Sequence, residues 1–224
     1  MNDRMKTTHR RTGKDHHTAD TQADGRDRKN RETLPHSAME DIRNAVEVMQ
    51  NGGVILYPTD TVWGLGCDAT NPEAVARIYA IKQRADSKAL ITLVDSEAKV
   101  EFYVRNVPSV SWDLIELSTR PITIIYENAR NLAANLMAED GTAGIRITHE
   151  PFSKTLCLRF RKAIVSTSAN ISGQPAPKNF KEISDAIKSS VDYIVGYRQQ
   201  EKGNAVPSTI IKIGEKGDVK VIRP

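Results

Sequence analysis

Short apolar runs rich in β-branched residues alternate with helix-period stretches from residue 37 to the end of the chain. Five of these runs have the length and composition of buried strands. They lie at 54–57, 89–94, 122–126, 143–148 and in AIVSTSAN at 163–170, and shorter runs follow in YIV, STIIKI and VKVIR. Because strands alternate with helices, the sequence predicts a single α/β domain with a twisted mixed sheet and flanking helices.

Capping residues mark the predicted helix starts between these strands. Ser37 is a suitable N-cap for the first helix, which ends at NGG. Asn71 and Pro72 have the residue types of an N-cap and a first helical residue. A later helix is predicted around 180–190, where apolar residues recur at helical spacing.

The N-terminal tail, residues 1–36, differs in composition from the rest of the chain. Its apolar residues are essentially Met1, Met5 and Leu34, and it holds nine of the 32 Lys and Arg, six of the 28 Asp and Glu and four of the five His. Such a segment buries too little apolar surface to offset its ordering entropy, so we expect it to be disordered. The predicted domain is residues 37–224, with 23 basic and 22 acidic residues.

Several classes of protein are disfavoured by this composition. The chain has no apolar segment long enough for a membrane span, and the tail has no apolar core of a signal peptide. Two cysteines, Cys67 and Cys157, are too few for a zinc site or a disulfide framework, so we expect a reduced, cytoplasmic protein with no metal site of its own. The nearly neutral body argues against a broad nucleic-acid-binding face.

Small polar and charged residues follow two predicted strands, and further charged residues lie within another strand and at the end of the second helix. They are Thr59–Asp60–Thr61 in YPTDTVWGLG, Arg146 within a strand, Ser166–Asn170, and Lys82 and Arg84 after the second helix. Taken singly, each cluster is also explained by turns, helix caps or the helix dipole. His149 and Cys67 are read as structural, because neither has a catalytic partner in the motifs.

Taken together, these side chains suit a site that binds charged reactants. Lys82 and Arg84 offer fixed positive charge for phosphates, and Arg146 on a strand suits a bidentate contact with a carboxylate. Ser166, Ser168 and Asn170 offer short polar groups for a nucleotide, and Thr59 for a small polar substrate. Neither GxxxxGK[ST] nor a GxGxxG after a strand occurs. The pattern therefore favours acyl-phosphate or adenylate chemistry without a covalent intermediate.

Four motifs in order carry a resemblance to a known family. YPTDTVWGLGCDA, KQR followed by KALITLV, AGIRIT and VSTSANISG together resemble the YrdC/YciO family over roughly residues 38–224. The family's KxR…SxN constellation matches Lys82, Arg84, Ser168 and Asn170. The resemblance implies a dsRBD-like/YrdC fold with a large positive cavity, in the short single-domain form of the family.

The resemblance also implies an activity. The family makes threonylcarbamoyl-AMP and pyrophosphate from L-threonine, bicarbonate or CO2, and ATP, which is the reaction of an L-threonylcarbamoyladenylate synthase, a nucleotidyltransferase. Mg²⁺ is expected with the ATP. The product would pass to a downstream tRNA threonylcarbamoyl transferase that forms threonylcarbamoyladenosine, and contact with tRNA or double-stranded RNA is an associated expectation.

Residue roles follow position by position from the same resemblance. Thr59, Arg146 and Ser208 would bind L-threonine, and Lys82 and Arg84 would be catalytic. The nucleotide-binding residues would be Lys82, Arg84, Thr142, Ser166, Ser168, Asn170 and Arg223. Where the family has tryptophan-proline-glycine before PLT, this chain reads LSTRPIT, so no role is transferred to Thr123.

Two alternatives remain open on the sequence alone. A YciO-like paralogue would share the fold and most of the motifs, and an RNA-binding module would use the same cavity for double-stranded RNA or tRNA. The nearly neutral body and 5% aromatic content weigh against RNA binding. Salt distinguishes the two kinds of ligand, because RNA affinity falls steeply with salt and threonine affinity hardly changes.

Overall fold

The structure is a computed structural model, and it describes residues 34–83, 90–203 and 206–224. Residues Leu34–Pro224 cluster as one compact unit. The disorder predicted for residues 1–36 falls mainly on residues 1–33, which lie outside the described residues, as does Arg84. For residues 34–36 the prediction is wrong at its end, because His36 begins the first helix. None of the helices in the described part of the chain is long and apolar enough to cross a membrane.

The described residues form a nine-stranded mixed sheet, and this confirms the α/β class. Its strands are β1 Ile55–Tyr57, β2 Gly64–Gly66, β3 Ile91–Val94, β4 Ile122–Tyr126, β5 Ala143–Ile147, β6 Ile164–Ser168, β7 Tyr193–Ile194, β8 Thr209–Ile213 and β9 Val219–Arg223. The order across the sheet is β7-β1-β2-β6-β3-β5-β4-β8-β9. The pairs β1–β7, β3–β5 and β4–β8 are parallel and the other five pairs are antiparallel.

Six α-helices and two short 3₁₀ helices accompany these strands in the described residues. They are α1 His36–Gln50, α2 Pro72–Lys82, α3 Glu97–Tyr103, α4 Val110–Leu117, α5 Pro151–Phe160 and α6 Asp185–Lys188, with 3₁₀ turns at Ala134–Leu136 and Phe180–Glu182. The predicted start of α2 is confirmed, because Asn71 caps it through hydrogen bonds from the backbone N–H groups of Glu73 and Ala74.

Two predicted helix details are wrong. Pro35, not Ser37, holds the N-cap position of α1, and no side chain caps that end. The helix predicted around 180–190 is a 3₁₀ turn followed by the four-residue α6, since Ser184 caps a new helix there. Ile183 and Ile187 are nevertheless buried.

Strand periodicity divides the core between the two faces of the sheet. Ile55 and Tyr57 of β1 pack in one cluster with α1 and α5, whereas Leu56 between them packs in the other cluster with α2 and α3. Alternate residues of a strand point to opposite faces, which explains the unbroken apolar runs in the sequence. A sheet covered on both faces holds its strand ends rigidly, and the polar groups at those ends with them.

Strand register brings the polar segments to one edge of the sheet. Tyr57 pairs with Gly64, and Gly64 pairs with Ser168, so β1 and β6 end at the same edge. The polar loop, residues 58–63, follows β1 there, and residues 169–170 follow β6. Strand β5 runs in the opposite direction, with Arg146 beside Leu93 of β3.

Gly66 on β2 makes room for a buried aromatic ring. A Cβ at this position would lie 2.6 Å from Cε1 of Tyr57 and 3.1 Å from the carbonyl oxygen of Val165. The missing side chain of Gly66 is thus what lets the Tyr57 ring lie against β2. At Gly64, a Cβ would lie 3.2 Å from the Thr167 carbonyl oxygen and 3.6 Å from Ser166 Oγ.

We predict that Gly66→Ala destabilises the fold by about 1–3 kcal/mol, because the added methyl overpacks the Tyr57 ring. Urea denaturation measures the change in the free energy of unfolding. Gly144→Ala is the matched control in the same sheet, since its Cβ would make only an ordinary contact, 3.5 Å from Thr123 Cγ2. Equal destabilisation by both substitutions would show that the Tyr57 contact is not the cause.

Candidate functional site

A cavity of ≈ 250 Å³ lies against the sheet beside the polar loop; we call it the central cavity. Its lining comes from β2, β3, β5, β6, β8, β9 and the polar loop. The polar and charged side chains of that lining belong to Thr61, Arg146, Ser166, Thr167, Ser168, Ser208 and Arg223. Two arginines and several hydroxyl groups therefore converge on one enclosed space, which suits an anionic ligand with further polar groups.

Arg146 is the most buried charged group of the central cavity. Its side chain is 3% exposed, and Nη2 lies 3.0 Å from Asp60 Oδ1. The same nitrogen donates a hydrogen bond to Thr61 Oγ1 at 3.3 Å. Its Nε–H is buried without a hydrogen-bond partner among the described residues. The guanidinium is therefore held on a strand with one charged donor that the described residues leave unused.

Ser208 and Arg223 form the opposite side of the cavity and are tied together. Arg223 donates from Nε and Nη2 to the backbone oxygen of Ser208 at 3.0 and 2.7 Å. The Ser208 hydroxyl pairs with Thr123 Oγ1 at 2.8 Å, and both residues are buried. Burial, and then the neighbouring charge of Arg146, lower the pKa of Arg223. Two cations facing one cavity create a positive field that a bound anion would relieve.

Thr59 lines a neighbouring cavity of ≈ 380 Å³, the loop cavity, which shares Thr61, Val62 and Pro207 with the central cavity. Its hydroxyl donates to the carbonyl oxygen of Val62 at 2.8 Å and accepts from the Thr61 N–H at 3.1 Å. Of the three predicted threonine-binding residues, Arg146 and Ser208 thus share the central cavity. Thr59 lies in the loop cavity and holds the shape of the polar loop.

Asp60 occupies the point where the polar loop meets Arg146. Its side chain is 13% exposed, and burial raises the pKa of this carboxyl group, although Arg146 acts in the opposite direction. Asp60 lines both the loop cavity and a third space of ≈ 560 Å³, the outer cavity. The outer cavity also has Ile147 and His149 in its lining, so the loop reaches across the carboxyl end of β5.

The predicted nucleotide-binding residues divide into two groups. Ser166, Ser168 and Arg223 line the central cavity. Thr142 and Asn170 line none of the three cavities of the described residues. Thr142 donates from Oγ1 to Asp140 Oδ1 at 2.6 Å, and this hydrogen bond is the main cause of the lowered pKa of Asp140.

Lys82 is brought to the segment that follows β6. Its ammonium group donates to the carbonyl oxygens of Ser168 and Asn170 at 2.6 and 2.8 Å, and the residue is 2% exposed. Asn170 donates in turn to the carbonyl oxygens of Ile171 and Gln174, while its own Oδ1 is buried without a hydrogen-bond partner among the described residues. The KxR and SxN motifs are thus neighbours through Lys82, whereas Arg84 lies outside the described residues.

Four residues of the site were given no role by sequence reasoning, and Asp60, which pairs with Arg146, is the first of them. Thr61 contacts Arg146, Thr123 contacts Ser208, and Arg198 donates to the carbonyl oxygen of Thr59 at 3.2 Å. Arg198 also lies 3.4 Å from Glu150 Oε1, so it ties the polar loop to the start of α5. Thr61 stood in the quoted motif, but no local signal marks Arg198.

The described residues offer neither a cluster of metal ligands nor an exposed thiol. They contain no group of three or more His, Cys, Asp or Glu placed to hold a metal ion. Cys67 and Cys157 are free and buried, and burial raises the pKa of each thiol. Buried, protonated thiols are inert, which agrees with the structural reading of Cys67.

The sequence matches the Sua5_yciO_yrdC family, described as telomere recombination, over residues 47–224. A similar curated protein is the threonylcarbamoyl-AMP synthase of Pseudoalteromonas translucida, which is 37% identical over 172 residues, 75% of this chain and 91% of that protein.

Two solved structures show the same fold. Escherichia coli YciO has a TM-score of 0.70 at 26% identity, with 85% of this chain and 90% of that chain covered. Pyrococcus abyssi Sua5 in complex with L-threonine has a TM-score of 0.69 at 24% identity, with 77% and 50% covered. The chain therefore spans about half the length of that Sua5.

We predict that Thr123→Val destabilises the fold by about 1–3 kcal/mol, because it removes the main partner of the buried Ser208 hydroxyl. The double variant Thr123→Val/Ser208→Ala removes both hydroxyls and should be more stable than the Thr123→Val single variant. Urea denaturation of the single and double variants measures the coupling. Additive losses would contradict a hydrogen bond between the two hydroxyl groups.

Proposed function

Because this chain belongs to the Sua5/YciO/YrdC family, we propose that it is an L-threonylcarbamoyladenylate synthase. The family recognised from the four sequence motifs is confirmed by the match over residues 47–224. In the proposed reaction, L-threonine, CO2 or bicarbonate, and ATP give threonylcarbamoyl-AMP and pyrophosphate. The names of curated relatives that are 31–37% identical support this nucleotidyltransferase activity.

The observation that carries the proposal is the presentation of Arg146 to the central cavity. The guanidinium is fixed by β5, buried, and has a free Nε–H. Nε and Nη2 lie in one plane and match the two oxygens of a carboxylate. We assign the carboxylate of L-threonine to this side chain. Ser208, in the same cavity, and Thr59 with Thr61 in the polar loop complete the amino-acid pocket.

The nucleotide is assigned to the part of the central cavity formed by β6 and β9. Ser166, Ser168 and Arg223 line it. Thr142 and Asn170, which line none of the three cavities, are assigned to the nucleotide on the family pattern alone. Lys82 holds the backbone of residues 168–170 by two short hydrogen bonds, so its charge lies behind the segment that would face the phosphates. Arg84, two residues later, is assigned to the phosphates on the motif alone.

The proposed chemistry needs charged reactants in line and no covalent intermediate. The carbamate oxygen formed from L-threonine attacks the α-phosphorus of ATP, and pyrophosphate leaves. Fixed cations that are already desolvated stabilise the charge that develops in this step, which is the general advantage of a preorganised site. Mg²⁺ is proposed to enter as part of the MgATP substrate.

The product of this reaction is an activated acyl group that needs an acceptor. A tRNA threonylcarbamoyl transferase is the proposed downstream partner, which would use the adenylate to form threonylcarbamoyladenosine in tRNA. We place this step in the cytoplasm, in keeping with two free, buried cysteines. Direct contact of this protein with tRNA or double-stranded RNA is also proposed.

One further candidate function has a specific observation in its favour. Escherichia coli YciO shares the fold with nearly its whole length covered, so a YciO-like role accounts for the fold equally well. The two readings differ in whether the chain releases pyrophosphate only when L-threonine is present.

Pyrophosphate release tests the proposed function. The protein is incubated with MgATP and bicarbonate, with L-threonine, L-serine, glycine or no amino acid. We expect release that requires both L-threonine and bicarbonate. Absence of threonine-dependent release, with ATP binding intact, would favour the YciO-like role or RNA binding, and RNA titrations at several salt concentrations then separate these two.

We predict that Arg146→Ala weakens L-threonine binding by at least about 30-fold, or about 2 kcal/mol, because a buried carboxylate loses its cation. ATP affinity should stay within about threefold, since other residues hold the nucleotide. Isothermal titration with each ligand measures both. Arg159→Ala, at an exposed position of α5, is the matched control. Unchanged threonine affinity would show that Arg146 does not bind the carboxylate.

A further inference from the structure

Asp60 and Arg146 form a buried ion pair inside the proposed amino-acid site. Their side chains are 13% and 3% exposed, and the charged atoms lie 3.0 Å apart. The pair joins two separate elements, since Asp60 lies on the polar loop and Arg146 on β5. A buried ion pair contributes little net stability once the desolvation of both charges is counted.

The hydrogen bonding of the pair is incomplete. Asp60 Oδ1 contacts Arg146 as an ion but has no partner in hydrogen-bond geometry among the described residues, and neither has Arg146 Nε. The Nε–H donor of Arg146 is therefore buried and unused, and Asp60 Oδ1 is held by the ion pair alone. Native structures leave few buried polar atoms in this state, and those that remain are candidates for ligand contact.

Charged groups on several elements face Asp60. Arg146 on β5 favours the ionised carboxylate, His149 favours it more weakly, and Glu150 at the start of α5 opposes it. Burial has the largest effect and raises the pKa of Asp60 above its usual value. A carboxylate with a raised pKa is a stronger base than an exposed one and is better able to take a proton from an amine.

Other acids near the cavities are less well placed. Glu201 lines the loop cavity and pairs with Arg198 at 2.8 Å, and Glu97 and Glu116 line the outer cavity. Among the described acids, Asp60 is the one that contacts the guanidinium assigned to the substrate carboxylate. In an α-amino acid the ammonium and carboxylate groups are attached to the same carbon, so their two binding groups must also be neighbours.

Resting on the proposed function, we propose that Asp60 binds the ammonium group of the amino-acid substrate and accepts its proton. The zwitterion places its carboxylate on Arg146 and its ammonium on Asp60, so the unused Nε–H of Arg146 gains an acceptor and Asp60 gains a donor. Asp60 is then a catalytic residue in the step that precedes adenylation.

With CO2 as the carbon source, deprotonation of the ammonium group comes first and carboxylation of the amine follows. The ammonium gives one proton to the Asp60 carboxylate, which leaves a neutral amine and a carboxylic acid. The nitrogen lone pair forms the new N–C bond with CO2 while one C–O π bond becomes an oxygen lone pair. A second proton passes from nitrogen to water, and the carbamate anion results. Asp60 returns its proton to solvent before the next turnover.

Binding of an amine-free analogue tests the ammonium contact. Isothermal titration compares L-threonine with 2,3-dihydroxybutyrate, in which a hydroxyl replaces the amine, on the wild type and on Asp60→Asn. The wild type should prefer L-threonine by at least about tenfold, and Asp60→Asn should reduce this preference to about threefold or less. A variant that keeps the wild-type preference overturns the proposal. MgATP binding to the variant confirms that it is folded.

Turnover tests the proton transfer. Asp60→Asn should slow threonine-dependent pyrophosphate release about 100-fold. The reverse reaction, in which threonylcarbamoyl-AMP and pyrophosphate form ATP, removes no proton from an amine and should stay within about threefold of wild type. Asp60→Glu keeps the carboxylate and should restore part of the forward rate. Asp185→Asn, at a fully exposed acid of α6, is the matched control.

Three outcomes separate the possible failures. Equal loss in the forward and reverse directions would mean that Asp60 only supports Arg146, and the proposal would be wrong. A forward rate of Asp60→Asn close to wild type would also overturn it. If the wild type itself releases no threonine-dependent pyrophosphate, the proposed function and the proton transfer fail together, and the titrations alone decide whether Asp60 contacts the ammonium.

Discussion

A guanidinium buried on a central strand requires partners, and Arg146 obtains them from a loop that is distant along the chain. Removal of a cation from water costs several kcal/mol unless opposite charge and acceptors replace the solvent. Asp60 and Thr61 supply them. The polar loop must therefore lie across the sheet face, and the hydrogen bonds of Thr59 within the loop keep it in that shape.

The directions of the strands explain why the contact between Arg146 and the polar loop leaves a cavity beside the sheet. β1 and β6 end at one edge, whereas Arg146 pairs with Leu93, which itself pairs with Ile164, four residues before the end of β6. At the rise of a strand, this places the arginine backbone about 13 Å from the edge where the loop begins. The Arg146 side chain and the polar loop meet between these two points, and Ser166, Ser208 and Arg223 line the adjoining central cavity.

The sequence predicted most of the strands and located the polar segments beside them, because continuous apolar runs and short polar segments are local signals. It missed β2, a glycine-flanked strand of three residues whose apolar content is only Leu65. Contacts between segments that are distant along the chain leave no signal in the local sequence. The pairing of Lys82 with carbonyl oxygens, of Thr123 with Ser208, and of Arg198 with the loop depends on register and topology, which no window of the sequence contains.

The Asp60–Arg146 pair also selects among ligands by charge. A simple carboxylate bound to Arg146 would bring a second anion next to Asp60, and two like charges about 4 Å apart repel by about 4 kcal/mol at an effective dielectric constant near 20. A zwitterion avoids this repulsion, because its cation faces Asp60 while its anion faces Arg146. The same pair that neutralises the buried arginine thus disfavours anions without an amine, and this selection needs no movement of the sheet.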